Sequence, residues 1–287
     1  MRFTTYLHAG QPRLAVVDGD SIVDLAAARP GVPADLRAAL AAGIDLKAEA
    51  AAALASGAPR LKLSQQTLAP LVPEPGKIIC LGLNYFDHAK EGGRDKPDYP
   101  WFFYRGKSSL IAHGQPGMVP KVSSRFDYEA ELVLVIGRKV PRHTKRADAL
   151  PYVFGYSCFN DMSVRDYQKR TAQWTIGKNF DATGGFGPVL VTADELAPGA
   201  KGLRIQSRLN GQIMQDANTD DMIFPVDETI ELLAECMTLE PGDVIVMGTP
   251  AGVGQARTPP VWMKAGDVCE IEIEKIGILR NPIVAEA

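Results

Sequence analysis

Alternating apolar and polar positions divide the chain into a short N-terminal part and a longer, strand-rich part. The segments RFTTYL and PRLAVVDGDSIVDL predict short strands around Gly and Asp turns. Two Ala-rich segments follow and predict helices, the first with Pro33 and Asp35 in its opening turn. The Pro-rich connector LAPLVPEPGK predicts a boundary near Pro73. We therefore expect a small N-terminal α/β domain at residues 1–72 and a larger, strand-rich domain at residues 73–287.

The second part alternates strands and helices too irregularly for a doubly wound sheet, so we predict an α+β, β-rich fold. Three helices are expected, in NYFDHAKEGG with Asn84 as N-cap, in SVRDYQKRT and in the amphipathic VDETIELLAECMTL. The Asn-Gly pair in RLNGQI predicts a hairpin. The predicted strands are KIICLGL, FDYEAELVLVIG, VFGYSCFNDM, PVLVTADEL, LRIQSRLNGQIMQ, DVIVMGTP and DVCEIEIEKIGILRNPI.

Composition restricts the choice of partners. The chain has 287 residues and a formal net charge of -3, which gives no attraction to nucleic acid or to an anionic membrane. No stretch approaches the roughly 20 apolar residues that span a bilayer, and the N-terminus shows no signal-peptide core. Four cysteines are scattered without a CxxC pair, as is usual in a reducing compartment. We expect a cytoplasmic protein.

Three acidic residues suggest chemistry. Glu129 and Glu131 are two apart at the head of an apolar strand, so both carboxylates point to one face. Asp161 follows a second apolar run and completes a possible trio. Acidic strand residues are usually solvated, but the solid apolar run ELVLVIG indicates burial, and buried carboxylates need a partner. An all-oxygen set without His or Cys suits Mg²⁺ or Mn²⁺.

A histidine and a glutamate form a second candidate pair. His88 and Glu91 share a helix face at a spacing of three, so the carboxylate can orient the imidazole as a general base. A surface pair of little energetic value is the plain alternative. The segment is short and ends in two glycines, which suits a lid that orders on substrate binding.

Three further side chains could contact an anionic substrate. Arg165 and Gln168 lie three apart just after Asp161, and Arg can hold a carboxylate with two parallel hydrogen bonds. Lys178, in the glycine-rich TIGKNFDATGGFGP, could stabilise an oxyanion. Each has an ordinary surface role as its alternative.

Motifs for other chemistries are missing or incomplete. DVIVMGTPAGVG is a strand followed by a Gly-rich loop, but ARTPPVW comes next and does not open the helix that phosphate binding requires. The chain has no GxxxxGK[ST] and no GxSxG. Neither nucleotide binding nor a covalent serine hydrolase is supported.

Taken together, several of these segments resemble the fumarylacetoacetate hydrolase family. The resemblance runs in order from about Lys77 to Pro282, and the residues before Pro73 are similar to the variable N-terminal domain of many members. The segments that carry it are LGLNYFDHAKE, FDYEAELVLVIG, CFNDMSVRDYQ, GKNFDATGGFGP, DMIFPVDETIELLAECMTLEPGDVIVMGTPAGVG and AGDVCEIEIEKIGILRNPI.

The resemblance implies a mixed β-roll fold, usually as a homodimer. It implies Mg²⁺ or Mn²⁺ bound by Glu129, Glu131 and Asp161, and a water-activating dyad of His88 and Glu91 on a mobile lid. It also places four residues around the substrate, namely Arg165, Gln168, Lys178 and Thr249. In WFFYRGKSSL many relatives have a Lys shortly after the Phe, whereas Arg105 and Lys107 stand here, so neither receives a catalytic role.

The leading hypothesis for the reaction is hydrolysis of a carbon–carbon bond in a 2,4-dioxo acid, an acylpyruvate, to pyruvate and a carboxylic acid. Decarboxylation of a 2-oxo acid such as oxaloacetate is the main alternative. Another lyase or isomerase of the family, such as one like ureidoglycolate lyase, also remains open, as does a non-catalytic metal or small-molecule binding protein. We expect the loops around 94–99 and 182–187 to set substrate choice.

Overall fold

A computed structural model of the chain describes residues 1–93 and 95–287. Arg94, at the start of the expected selectivity segment 94–99, lies outside the described residues. The fold is α+β and rich in strands, as predicted.

The described residues form more strands than helices, and most of the helices are short. The helices are α1 Leu25–Ala28, α2 Leu36–Ala41, α3 Leu46–Ala55, α4 Phe86–Glu91, α5 Arg165–Gln168, α6 Thr175–Lys178 and α7 Val226–Cys236. The strands are β1 Arg2–His8, β2 Gln11–Asp18, β3 Ser21–Asp24, β4 Leu61–Lys62, β5 Ile78–Gly82, β6 Trp101–Tyr104, β7 Leu110–Ile111, β8 Gly117–Val119, β9 Phe126–Asp127, β10 Ala130–Ile136, β11 Val153–Asp161, β12 Ser163–Val164, β13 Gly184–Thr192, β14 Arg204–Leu209, β15 Gln212–Asn218, β16 Val244–Val246, β17 Val268–Ile273 and β18 Gly277–Ala285.

Two large sheets and a two-stranded sheet of β9 and β12 organise the described residues. The larger has the strand order β4-β3-β2-β1-β13-β11-β10-β16-β5-β6, with β7 added against β13. The smaller has the order β15-β14-β17-β18-β8, and its β14–β15 hairpin turns at Asn210 and Gly211, as predicted. Both turn residues have positive φ, 52° and 81°, the conformation that favours an Asn-Gly pair. Strand β10, buried along its whole length, runs through the middle of the larger sheet.

The N-terminal strands extend this same sheet. β1 pairs antiparallel with β13, and Phe3 of β1 belongs to an apolar cluster that also contains Val133 of β10 and Phe186 of β13. Residues on both sides of Pro73 therefore share a sheet and a core. Division of the chain at this proline stays a prediction.

Pairing of β10 with β11 brings the acidic trio together. Ala130 lies opposite Asn160 and Glu131 opposite Phe159, and the Asp161 amide donates to the Glu129 carbonyl at 3.0 Å. Residues opposite each other on antiparallel strands share a face, as do residues two apart on one strand. The register thus places all three carboxylates on one face of the sheet.

Several predicted elements were longer than those observed. The strand predicted for FDYEAELVLVIG is divided into β9 and β10, with Glu129 between them. The helix predicted for SVRDYQKRT is limited to α5, because Ser163 and Val164 pair with β9.

Lys178 ends the short helix α6 instead of lying in an open glycine loop. Asp35 is the N-cap of α2, so its side chain accepts from the Ala38 amide ahead of the first turn.

Asn84 was wrongly predicted as a helix cap. Helix α4 begins one residue later, with Tyr85 at the N-cap position. The buried Asn84 side chain donates to the carbonyls of Phe224 and Met247, at 3.0 and 2.7 Å, and accepts from the Phe224 amide at 2.7 Å. It therefore ties the base of α4 to the segment that precedes α7.

The segment 182–187 was expected to be a selectivity loop. From Gly184 onward it forms the buried first part of β13, which pairs with β11 on one side and, at Gly184 and Gly185, with β7 on the other. Hydrogen bonds on both sides hold its backbone in the sheet, so this part is not a mobile loop.

Candidate active site

The three acidic side chains form one buried cluster. A carboxylate oxygen of Glu129, Glu131 and Asp161 can be chosen so that all three lie within 4.8 Å of one another. Glu131 Oε2 also accepts from the Gly248 amide at 2.6 Å. Like charges this close repel strongly at low dielectric, so the cluster requires positive charge.

Cationic side chains supply part of that charge. Lys178 Nζ bridges two of the carboxylates, 2.5 Å from Glu129 Oε2 and 2.6 Å from Asp161 Oδ2. Arg165 Nη1 is 2.7 Å from Glu129 Oε1, and Arg105 Nε contacts Asp161 Oδ1. Lys178 therefore lies among the acidic residues, where it can both balance their charge and face a ligand.

The site strongly perturbs its own carboxyl groups. Burial opposes ionisation of Glu129, but Lys178 and Arg165 outweigh it and hold the pKa of Glu129 far below its usual value. Burial, with the charges of Asp161 and Glu129, raises the pKa of Glu131 well above its usual value. Glu131 is therefore the member of the trio with the greatest need for a further cation.

Asp127 and Arg105 also belong to this cluster. Asp127 was missed from the sequence, and Arg105 was given no role there. The Asp127 carboxylate accepts from Arg165 Nε at 2.8 Å and from the amides of Gly254 and Gln255 at 2.7 and 3.0 Å. Asp127 continues the spacing of two that links Glu129 to Glu131, and that pattern could have revealed it. Nothing local to the buried Arg105 signals its pairing with an aspartate 56 residues away.

The predicted dyad forms in helix α4. His88 Nδ1 lies 2.8 Å from Glu91 Oε1, and both side chains are largely shielded from solvent. A carboxylate accepts hydrogen bonds, so Nδ1 donates to Glu91, and Nε2 is the nitrogen that faces away from this contact. Glu91 also accepts from the Gly252 amide, which joins α4 to the loop after β16.

A cavity of about 280 Å³ joins the dyad to the cluster. Eight of the nine predicted site residues line it, and Asp161 contacts it through Lys178. Thr249 Oγ1 donates to the Ala130 carbonyl at 2.9 Å, and Gln168 Oε1 accepts from Arg165 at 3.1 Å. An apolar side is formed by Leu81, Leu83, Phe103, Trp174 and Val253.

The donor set fits a hard divalent cation. Four buried carboxylates, including Asp127, face three cationic side chains, Arg105, Arg165 and Lys178. The carboxylates therefore outnumber the cationic side chains by one. A divalent ion at the trio would make the net charge of the site positive and so favour an anionic ligand. Glu129, Glu131 and Asp161 would hold it, because all-oxygen sets suit Mg²⁺ and Mn²⁺.

A buried carboxylate cluster that faces an imidazole–carboxylate pair across a cavity is typical of an enzyme of acid–base chemistry at an oxygen-rich substrate. The sequence defines the family more closely. Residues 77–284 match the family described as fumarylacetoacetate (FAA) hydrolase, C-terminal. The chain belongs to the fumarylacetoacetate hydrolase family, as the resemblance implied.

Relatives with different names are similar over most of the chain. The mitochondrial oxaloacetate tautomerase fahd2 of Xenopus laevis is 40% identical over 273 residues, 94% of this chain and 85% of its own. The human oxaloacetate tautomerase FAHD2A, also named mitochondrial, is 38% identical over 269 residues, 93% of this chain and 85% of its own.

Solved structures show the same fold. A fumarylacetoacetate hydrolase from Exiguobacterium antarcticum has a TM-score of 0.85 and 33% identity, with full coverage of both chains. A maleylpyruvate hydrolase from Sphingobium sp. SYK-6, in complex with manganese(II) ion and pyruvate, has a TM-score of 0.83 and 31% identity, again with full coverage of both chains. The relatives thus include hydrolases and tautomerases.

The described helices are all short. Within residues 1–93 and 95–287, none combines the length and the apolar content that crossing a membrane requires.

Proposed function

We propose that the protein is a Mg²⁺- or Mn²⁺-dependent enzyme that interconverts the keto and enol forms of a short 2-oxo dicarboxylic acid of the oxaloacetate type. The observation that carries this proposal is the imidazole of His88, held by Glu91 at a small cavity beside the acidic trio. The 36–40% identity to oxaloacetate tautomerases over nearly the whole chain supports the choice of substrate.

The proton transfer uses the free nitrogen of His88. Nε2 takes a proton from C3 of the keto acid, and the resulting imidazolium returns a proton to the 2-oxo oxygen to give the enol. Glu91 stabilises the imidazolium and keeps Nδ1 as the donor to its own carboxylate. When bound, the metal supplies Lewis-acid stabilisation of negative charge on the 2-oxo oxygen.

The remaining side chains bind and orient the acid. Arg165 and Lys178 provide positive charge at the cavity wall, and Gln168 and Thr249 provide hydrogen-bonding groups. Leu81, Phe103 and Trp174 limit the length of the substrate and exclude water from the apolar side. A cavity of about 280 Å³ suits a four-carbon acid.

Hydrolysis of an acylpyruvate is the second candidate. The same His88 Nε2 can take a proton from water, which then attacks the distal carbonyl and releases pyruvate and a carboxylic acid. The name of the maleylpyruvate hydrolase relative, solved with manganese(II) and pyruvate, supports this reaction. Decarboxylation of oxaloacetate needs neither step at His88 and receives less support from the dyad.

One assay set separates these reactions. Decay of the enol absorbance of oxaloacetate, followed with Mg²⁺, with Mn²⁺ and with EDTA, reports tautomerisation when no CO₂ or pyruvate appears. Pyruvate with CO₂ indicates decarboxylation, and pyruvate from an acylpyruvate without CO₂ indicates hydrolysis. Metal binding without turnover of either substrate would contradict the proposal and support a non-catalytic binding protein.

The dyad is tested by His88→Ala, with His8→Ala at the exposed end of β1 as the control. We expect about a hundredfold loss of turnover for the first variant and no loss for the second. Activity of His88→Ala equal to that of the wild type would remove the imidazole from the reaction.

We also propose a homodimer in the cytoplasm. The four cysteines are free, and three of them are buried, which suits a reducing compartment. Light scattering of the purified protein tests the dimer, and fractionation of the source cells tests the location.

A further inference from the structure

Gly252 lies between the dyad and the body of the fold. Its N–H donates to both oxygens of Glu91, at 2.9 Å to Oε2 and 3.2 Å to Oε1. Oε1 is also the atom that contacts His88 Nδ1 at 2.8 Å. One carboxylate therefore orients the imidazole and attaches its helix to the loop after β16.

The carbonyl of Gly252, which belongs to the next peptide unit, is braced by two side chains. The Gly252 carbonyl accepts from the Tyr128 hydroxyl at 3.1 Å and from Arg257 Nε at 3.3 Å. Arg257 Nε also lies 3.2 Å from the Tyr128 hydroxyl oxygen, and its Nη2 donates to the Met214 carbonyl. The guanidinium thus joins the loop to β15, which contains Met214.

Gly252 packs closely against β15 in a backbone conformation that favours glycine. Gly252 has φ of +101°, and a Cβ built on it would lie 2.4 Å from the Met214 carbonyl oxygen. An L side chain is thus excluded by both strain and space. Two residues later the Gly254 amide donates to Asp127. Arg257 and Asp127 hold the loop from two sides, and its N–H remains directed at Glu91.

We propose that Arg257 is a positioning residue for the His88–Glu91 dyad. By bracing the Gly252 carbonyl, it fixes this residue in place, so that the N–H of the same residue stays where it binds the Glu91 carboxylate. This contact keeps α4 closed with His88 over the cavity. The role in catalysis rests on the proposed function, since it requires His88 to transfer the proton. The brace and the capture of Glu91 stand on the hydrogen bonds alone.

A double-mutant cycle tests the role. Arg257→Met removes the guanidinium donors with limited loss of volume, and we expect kcat/KM to fall about tenfold, the scale of one hydrogen bond from a charged donor. Because Arg257 acts through Glu91, adding Arg257→Met to Glu91→Ala should change kcat/KM by less than about twofold. If the two substitutions lower kcat/KM independently, so that their effects multiply in the double variant, the proposal is overturned and Arg257 has a merely structural role.

A matched control separates bracing from general stability. Arg2 likewise donates to two backbone carbonyls, of Ile276 and Lys275, on the N-terminal strand β1. Arg2→Met should leave kcat/KM within about twofold of the wild type. Arg257→Lys keeps one charged donor and should recover part of the activity. The positioning role would be contradicted if Arg257→Lys recovered no activity and if Arg257→Met and Arg2→Met lowered kcat/KM equally.

Hydrogen exchange measures the brace without any substrate. In the metal-free protein, Arg257→Met should accelerate exchange at the Gly252 amide and at amides of α4 such as Ala89 and Gly92, and Arg2→Met should not. Unchanged exchange at these amides would refute the brace whatever the activity. Faster exchange in a protein inactive on every 2-oxo acid would support the brace and refute only the proposed function.

Discussion

Glu131 offers the sharpest test of the cation site. It is buried, Gly248 donates to its Oε2, and its pKa is raised by burial and by the charges of Asp161 and Glu129. Glu131→Gln removes the charge and keeps an oxygen that can accept from the same amide. This change isolates the carboxylate charge from the packing of the side chain.

The geometry sets the magnitude. Two unit charges 4.8 Å apart, the outer limit within the trio, interact by about 3 kcal/mol at an effective dielectric of 20. The neighbouring cations offset part of this repulsion, so we expect the metal-free variant to be about 1–3 kcal/mol more stable than the wild type. That corresponds to a rise in Tm of about 2–6 °C for a chain of this size.

Bound metal should cancel or reverse this difference in stability. At a hundredfold excess over Kd, a ligand that binds only the folded state adds about 2.7 kcal/mol. Wild type should gain this stability with Mg²⁺ or Mn²⁺, and Glu131→Gln should gain little, because one of three protein ligands is replaced by a neutral amide. The assay is calorimetric unfolding of both proteins in EDTA and across a metal titration.

The control is Glu272→Gln, which removes a partly exposed carboxylate paired with Arg208. Its stability should change by less than about 1 kcal/mol, and its metal response should equal that of the wild type. An equal metal-induced rise in Tm for wild type and Glu131→Gln would refute the cation site at the trio. A metal-free Glu131→Gln protein less stable than the wild type would refute the electrostatic reasoning.

Three further outcomes are expected. Lys178→Met should lower the free energy of unfolding by about 3–5 kcal/mol in EDTA, because it leaves Glu129 and Asp161 without their shared ammonium. Mg²⁺ should restore part of the loss in Tm. No restoration would contradict the idea that Lys178 and a divalent ion balance the same carboxylates. For Asp24, burial opposes ionisation, but hydrogen bonds from Arg13, Tyr6 and the Ala27 amide outweigh it and hold its pKa below the usual value. The stability from this depressed pKa is present above the unfolded-state pKa of about 4 and is lost as pH falls through the folded-state value. In urea unfolding, Asp24→Asn should therefore lower the free energy of unfolding by about 1–3 kcal/mol at pH 7 and by progressively less below pH 4. A constant difference across that range would be evidence against the charged pair. Gly82→Ala should displace Trp174 and alter its fluorescence and KM, because a Cβ at Gly82 would lie 1.9 Å from Trp174 Cζ3, whereas Gly57→Ala, where the Cβ has nothing within 4 Å, should change neither.

The acidic trio shows how far local pattern reaches. The spacing of two placed Glu129 and Glu131 on one face, and the apolar run after them predicted burial. The helix that became α7 and the Asn210–Gly211 turn were also predicted, because amphipathic spacing and the positive φ of Asn-Gly are properties of neighbouring residues.

Local pattern was weakest at the ends of elements. Asn84 has the side chain of a helix cap, yet partners 140 and 163 residues away take its hydrogen bonds. The sequence pattern placed Val164 in the first turn of a predicted helix, but Val164 pairs with Phe126 of β9. In each case a long-range contact displaced the local preference, which is worth only about 1 kcal/mol.

By itself, the sequence determined the strand-rich composition, the face of the acidic pair, the spacing of His88 and Glu91 and the membership of the chain in its family. Only the tertiary structure decided that Arg105 and Lys178 balance the trio, that Asp127 ties Arg165 to the loop after β16, and that Gly252 holds Glu91. The residues of these contacts are between 17 and 161 positions apart. Periodicity reports which face of an element is buried, whereas the partner on that face is chosen by strand register and by packing across the whole core.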